Sequence, residues 1–203
     1  MEQQEKKTEQ STNQRWAGTW QQELYHELKM LAAVLAVVIL IFQFAAQLIV
    51  VVGSSMYPTL HDKDLLIAVR IYGELETGDI VVIHKETELI QETIIKRVIA
   101  TGGQTVEIDY DNNAVYVDGV RVTEPYINLN DLPPEDEGDP MLPKGDIDCV
   151  TVPEGSIFVM GDNRNHSTDS RFSYAVGLVD EGYVIGKAVF CFWPISHAKG
   201  LED

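Results

Sequence analysis

The hydrophobic positions follow two patterns that meet near residue 52. Met30 to Phe42 is uninterrupted apolar sequence, rich in Ala, Val, Leu and Ile, and the apolar character continues past Gln43 and Gln47 to Val52. A helix that crosses a bilayer needs about 20 such residues, and residues 30–50 supply them without a charge, which predicts one transmembrane anchor there. A cleavable secretory signal is the alternative, but its apolar core is typically about 7–15 residues, shorter than this run. Just upstream, Trp20, Leu24, Tyr25 and Leu28 recur at helical spacing, predicting a short amphipathic helix at the membrane face.

Beyond residue 52 the pattern becomes alternating or short and β-branched. Leu65 to Ile71, Ile80 to His84, Ile94 to Ala100, Thr105 to Ile108, Ala114 to Val117, Arg121 to Val122, Ser156 to Gly161 and Val184 to Phe192 read as strands between Gly, Asp, Asn and Pro turns. Asp118-Gly119, set between two β-branched runs, is a hairpin signal. The expected fold class is therefore mainly β, a set of coiled antiparallel sheets preceded by one transmembrane α-helix. Residues 123–149 break the pattern: Glu124, Asp131, Glu135, Asp136, Glu137, Asp139, Asp146 and Asp148 face Lys144 alone, among five prolines. That stretch reads as a solvated surface excursion.

Three segments follow: a tail over 1–29, an anchor over 30–50 and a β domain over 51–203. Lys6, Lys7, Arg15 and Lys29 precede the span, which predicts a cytoplasmic N-terminus and an extracytoplasmic domain at the plasma membrane. Charge narrows the function classes. With 32 acids against 15 bases and a formal net charge of -17, the chain lacks the basic footprint of a nucleic-acid binder. Cys149 and Cys191 are too few for a disulfide scaffold or a four-thiolate zinc site. They could pair in an oxidising compartment, but Cys191 between Phe190 and Phe192 reads as a buried apolar position, which favours free thiols.

Candidate chemistry begins in the turn Gly53-Ser54-Ser55-Met56-Tyr57-Pro58-Thr59-Leu60, where a small-residue setting leaves the Ser55 hydroxyl unhindered. His61, His84, His166 and His197 lie in no context that presents a base to it. Lysine activates serine instead when burial keeps part of the amine neutral. Lys96 has that setting, since alternation puts Ile94, Lys96 and Val98 on one strand face; an edge lysine that deters aggregation is the competing reading. A third polar segment, Gly161 to Arg171, follows the strand Ile157-Phe158-Val159-Met160, and Asn165-His166-Ser167 within it fits the glycosylation sequon.

Taken together, Ser55-Met56-Tyr57-Pro58-Thr59-Leu60, Gly78-Asp79-Ile80-Val81-Val82, Ile95-Lys96-Arg97-Val98 and Gly161-Asp162-Asn163-Arg164 with Ser167 and Asp169-Ser170-Arg171 closely resemble the bacterial type I signal peptidases, membrane-anchored serine proteases with a Ser-Lys dyad. The four blocks occur in the family's order over about residues 47–194. The resemblance implies that Ser55 is the nucleophile and Lys96 the general base, that Ser167 orients the lysine, and that Asp169 and Arg171 form a buried ion pair. It further implies supporting roles for Arg97, Asp162, Asn163 and Arg164, and pocket walls at Val51, Val82 and Ile95. The backbone NH of Ser55 is the implied oxyanion donor. Some members carry a serine two places before the nucleophile as the second donor; here that position is Gly53, which leaves the second donor unassigned. The implied substrate is the signal peptide of a preprotein at the bilayer surface, cut after a small residue in an Ala-X-Ala pattern, with no cofactor and no metal. Two alternatives remain open: another Ser-Lys processing peptidase, or a catalytically silent, membrane-tethered β domain that binds a partner.

Overall fold

The unbroken apolar run folds as the end of a longer helix. In the computed structural model, which describes residues 2–70, 73–85, 93–127, 141 and 144–201, helix α1 spans Glu2–Phe44. Its Trp20–Ile41 stretch is long and apolar enough to cross a membrane. The chain divides into two units, Met1–Ala45 and Ala46–Asp203. The short amphipathic helix expected before the anchor is thus part of one continuous helix.

One boundary needs correction. Residues 46–50, which hydropathy assigns to the anchor, form strand β1 (Ala46–Val50) of the second unit. Hydropathy reports how apolar a segment is and not its conformation. Here β1 has a partner, the equally apolar β2 (Leu65–Val69), whose ladder supplies the hydrogen bonds from Ala46 opposite Val69 to Val50 opposite Leu65.

The second unit is built from antiparallel pairings. Its larger sheet adds β3 (Ile80–His84), β4 (Thr93–Ala100), β9 (Ser156–Met160), β10 (Val179–Asp180), β11 (Val184–Trp193) and β12 (Lys199–Gly200), in the order β1-β2-β11-β3-β4-β9-β10 with β12 on β11. The smaller sheet runs β7 (Val120–Arg121), β6 (Ala114–Val117), β5 (Thr105–Asp109), β8 (Cys149–Thr151). The eight strands expected from sequence all occur, with ends shifted by up to two residues, and Ile71, the expected end of the first, lies outside the described residues. The short β8, β10 and β12, like β1, carry no distinct sequence signal. Asp118 and Gly119 turn β6 into β7 with φ of 53° and 76°, the doubly positive geometry that suits a tight hairpin.

Among the described residues, three apolar clusters hold these layers. One, including Val51, Met56, Leu60, Val82, Ile95 and Cys191, takes in the turn that carries Ser55 through Met56 and Leu60. A second joins the two sheets through Ile99, Val106, Val115, Phe158 and Met160. A third lies under Val81, Val98, Val159 and Val179. Both cysteines are free thiols, Cys149 exposed and Cys191 buried.

Candidate active site

The turn that carries Ser55 is fixed from below and behind. Met56 and Leu60 drop into the core, the Tyr57 N–H donates to Ser54 O (3.0 Å), and the Leu60 N–H donates to Met56 O (2.9 Å). Behind it, the Val51 N–H donates to Asp64 O (2.8 Å), and Lys63 returns an N–H to Val51 O (2.9 Å). Gly53 adopts φ 89°, a left-handed conformation that glycine tolerates at no steric cost. Its N–H donates to Asp62 Oδ1 at 3.0 Å. Gly53 therefore brings neither a side-chain hydroxyl nor an uncommitted N–H to an oxyanion.

Strand β4 carries Lys96 to this turn, and Lys96 Nζ donates to Ser55 Oγ at 2.8 Å. The lysine is 3% exposed. Burial pushes its amine down from the ordinary 10.5 to about 8; Asp169 and Asp162 act to raise it and Arg171 to lower it. A substantial neutral fraction thus exists near pH 8, and the same 2.8 Å line that carries a proton toward Ser55 can carry one back.

The segment after β9 clasps the turn from above. The Asn163 N–H donates to Ser55 O (3.0 Å), and Asn163 Nδ2 donates to Ser54 O (3.2 Å). Arg171 Nε donates to Asp169 Oδ1 (2.8 Å), and one terminal guanidinium nitrogen reaches Asp169 Oδ2 (3.0 Å), Arg164 O (2.7 Å) and Ser167 O (3.0 Å). Burial alone would raise the Asp169 carboxyl, but Arg171 and the Gly161 N–H hold it below the usual carboxylate range. Ser167 Oγ is buried close enough to Asp169 to contribute to that depression, yet meets no partner at hydrogen-bonding geometry. The hydrogen bond from Lys96 goes to Ser55, so the structure brings Ser167 into the site without joining it to the lysine.

Arg97, the neighbour of Lys96, points to the opposite face of β4. There Nε and a terminal nitrogen form a fork with Asp162 (2.9 and 2.8 Å), the other terminal nitrogen donates to Gly78 O (2.7 Å), and Thr59 donates to Asp162 Oδ2. The block containing Gly78, the Ser55 turn, β4 and the polar segment therefore meet at one buried pair. Arg164 pairs with Glu124, and the Tyr126 ring covers Arg97 at 3.9 Å from its centroid. The first residues of the acidic excursion are thereby part of the site's frame. Thr59, Glu124 and Tyr126 are neighbours of the candidate site that sequence reasoning missed, because only tertiary pairing reveals them.

Gly161 is a further one. A Cβ there would fall on Ser167 Oγ and on the Ser55 carbonyl oxygen, well inside contact distance. The glycine signal was present in the Gly161-Asp162-Asn163-Arg164 block but had no assigned reason. Gly161→Ala is expected to lower kcat/KM by about 100-fold, since displacements near 1 Å cost that much in aligned sites. Steady-state kinetics on a peptide substrate check this, and near-native turnover would show that the close approach is not needed.

Beside Ser55 and Lys96 opens a cavity of about 250 Å³ between Leu48–Val52 and Thr93–Lys96. Val51 and Ile95 line it; Val82 does not, being fully buried in the cluster beneath. β1 ends the sheet order, and β9 pairs with β4 only from Arg97 onward. Among the described residues, two open strand edges thus border the cavity.

The chain is similar in sequence to known proteins over most of its length. The signal peptidase, peptidase S26 family matches residues 24–193. Signal peptidase I T of Bacillus subtilis (strain 168) is 41% identical over 173 residues, covering 84% of each chain. Signal peptidase IB of Staphylococcus aureus is 35% identical over 189 residues, covering 87% of this chain and 93% of that one. A crystal structure of a signal peptidase I from Enterococcus faecalis V583 aligns with a TM-score of 0.43 at 27% identity, over 57% of this chain and 97% of that one. With a family match over most of its length and relatives of this identity, the chain belongs to the signal peptidase family, peptidase S26.

Proposed function

We propose that this chain is a membrane-anchored serine endopeptidase that removes signal peptides from preproteins with a Ser55-Lys96 dyad. The observation that carries the reading is the 2.8 Å hydrogen bond between a serine on a fixed turn and a lysine whose amine is desolvated. The Lys96 amine takes the Ser55 proton as Oγ bonds to the scissile carbonyl carbon. The tetrahedral oxyanion is met by the Ser55 N–H. As the C–N bond breaks, the Lys96 ammonium protonates the leaving amine, which becomes the new N-terminus of the mature protein. An ester then joins the signal peptide to Ser55. Lys96 next takes a proton from water, the hydroxide attacks the ester carbonyl, and Ser55 Oγ leaves with the proton held by Lys96.

The substrate enters as an extended segment between the open edges of β1 and β4, where backbone hydrogen bonds supply affinity and side-chain pockets supply selectivity. The β-branched walls at Val51 and Ile95 leave room for small side chains, which suits cleavage after Ala-X-Ala. Helix α1 holds the domain at the outer face of the plasma membrane, with its N-terminus in the cytoplasm. There, preproteins leaving the secretion channel reach it at high effective concentration.

The test is cleavage of a preprotein bearing Ala-X-Ala by the detergent-solubilised full chain, with sequencing of the new N-terminus, repeated across pH. The base is the neutral amine, so kcat/KM should climb roughly tenfold per pH unit below the lysine's pKa and level off above about 8. Absence of the expected N-terminus, or a profile flat from pH 6 to 9 (roughly the window spanning that pKa), removes the reading in favour of a binding domain or a different base.

A further inference from the structure

Behind the nucleophile turn lies a cluster that the proposed hydrolysis does not use. Residues 61–64 bring His61 and Asp64 to His197, which stands in the short 3-10 turn Ile195–His197, 133 positions away from Asp64. Asp64 is 1% exposed. Its Oδ1 lies 2.8 Å from His197 Nδ1, and its Oδ2 accepts the His61 N–H at 2.8 Å and lies 3.8 Å from His61 Nδ1. The two imidazoles stack with centroids 4.3 Å apart at 28°. One ligand-capable atom from each of the three side chains falls within 4.8 Å of the other two. His61 Nδ1 is shielded from water and has no hydrogen-bond partner, an unfavourable state for a ring nitrogen.

Two imidazole nitrogens and one carboxylate oxygen converging from separate segments are the donor set of a borderline transition-metal ion. Mg²⁺ and Ca²⁺ require about six or more oxygens. Tetrahedral zinc with bonds near 2.0 Å needs donors about 3.3 Å apart. Asp64 is held rigidly, while the His61 and His197 side chains are 41% and 35% exposed and can turn to close that gap. We propose that His61, Asp64 and His197 bind a divalent transition-metal ion, Zn²⁺ fitting best, which ties the segment behind Ser55 to the C-terminal turn. The ion takes no part in bond cleavage. It acts as a clip: Asp64 O receives the Val51 N–H and Asp62 the Gly53 N–H, so the clipped segment is the one that braces the nucleophile turn. Each histidine binds in its neutral form, and the fourth position is left to water.

The test uses tag-free, metal-stripped full-length protein in detergent, titrated with ZnCl₂, CoCl₂ or MgCl₂. Zinc should bind as a single equivalent and, at about 100-fold excess over Kd, raise the melting temperature by about 5 °C or more, while magnesium does neither. Cobalt should give the intense visible bands of a four-coordinate ion. His197→Gln and His61→Gln, both at partly exposed positions, should weaken zinc binding by more than the roughly 10–100-fold typical of losing an outer partner and should abolish the cobalt bands. His26→Ala, in α1, should leave both unchanged. If zinc shifts the wild type and the two glutamine variants equally, or cobalt remains six-coordinate, the cluster is a hydrogen-bonded brace and the metal site is overturned. Circular dichroism of each variant confirms that it is folded. Because these readouts do not involve cleavage, failure of the metal site leaves the dyad untouched.

Discussion

Lys96→Met is expected to reduce signal-peptide cleavage by a factor on the order of 10⁴ or more while making the domain more stable at neutral pH. Methionine keeps the length and fills the apolar slot, but supplies no proton acceptor. The gain in stability follows from linkage. The folded amine has a pKa of about 8 against the ordinary 10.5, so between those values the unfolded chain holds a proton that the folded chain does not. Stability therefore rises with pH through the window from 8 to 10.5, and below 8 the full cost of burying the ammonium is present. At about 1.4 kcal/mol per pKa unit that cost is about 3 kcal/mol. The variant should gain a good part of it at pH 7 and lose the pH dependence between 8 and 10.5. Ser55→Ala should abolish cleavage to a similar degree, and the double variant should be no slower than either single one, since the two side chains act as a unit. Denaturant unfolding across pH, together with cleavage kinetics, tests both halves. A Lys96→Met enzyme within tenfold of wild type would eliminate the lysine as base, and losses that simply add would show that the two residues act separately.

The buried charges around Lys96 are paired, which leaves desolvation the largest influence on it. Asp162 and Asp169 each act to raise the lysine, but neither carboxylate stands unpaired. Each is matched: Asp162 by the fork from Arg97, and Asp169 by Arg171. At Lys96 the Arg171 charge opposes the pull of the two carboxylates, and burial remains the largest influence. The polar segment after β9 is dense in hydrogen-bonding groups and grips the Ser54 and Ser55 carbonyls through Asn163, while burial still outweighs the upward pull of its two carboxylates on the amine.

The local parts of this site were legible in the sequence, and the long-range parts were not. Alternation alone put Lys96 on an apolar strand face, because strand periodicity fixes which side a residue takes. The hairpin at Asp118-Gly119 was equally readable, since it needs only residues that tolerate positive φ. Strand β1 was not: Ala46 to Val50 is as apolar as the helix before it, and only its pairing with Leu65 to Val69 makes it a strand. Gly161 is needed because two other segments crowd its Cα, a fact of tertiary approach. Val82 shares the apolar character and the core cluster of Val51 and Ile95, yet does not line the cavity, and which member of a cluster reaches a cavity has no local signature. The Gly53 N–H is committed to Asp62, an acid nine positions on whose turn-closing role its neighbours do not announce.

The excursion after Val122 gives the second large expected effect. Glu124→Ala should destabilise the domain by about 3–5 kcal/mol, although the residue belongs to a stretch whose composition reads as solvated surface. The Arg164 side chain is 2% exposed and that of Glu124 8% exposed, and Arg164 also donates through Nε to Gly161 O at 3.0 Å. Removing the carboxylate leaves a guanidinium buried without its counter-charge, beside the backbone that spaces Ser55 from Ser167. For a unit of this size the melting temperature should fall by about 6–20 °C, at roughly 2–4 °C per kcal/mol. Cleavage should fall with it, as Gly161 loses the anchored arginine at its carbonyl. Glu124→Gln, which keeps a hydrogen-bond acceptor but not the charge, should fall between alanine and wild type. Tyr126→Phe, which retains the ring over Arg97 and loses only the hydroxyl donated to Glu124 at 2.9 Å, should cost about 1 kcal/mol. Thermal melts of the four proteins give the ranking. If Glu124→Ala melts within 2 °C of wild type (less than about 1 kcal/mol), the Arg164 pair is screened by water and the excursion is the loose surface its composition suggests. If the ranking holds, this acidic stretch begins as a buried brace of the catalytic frame.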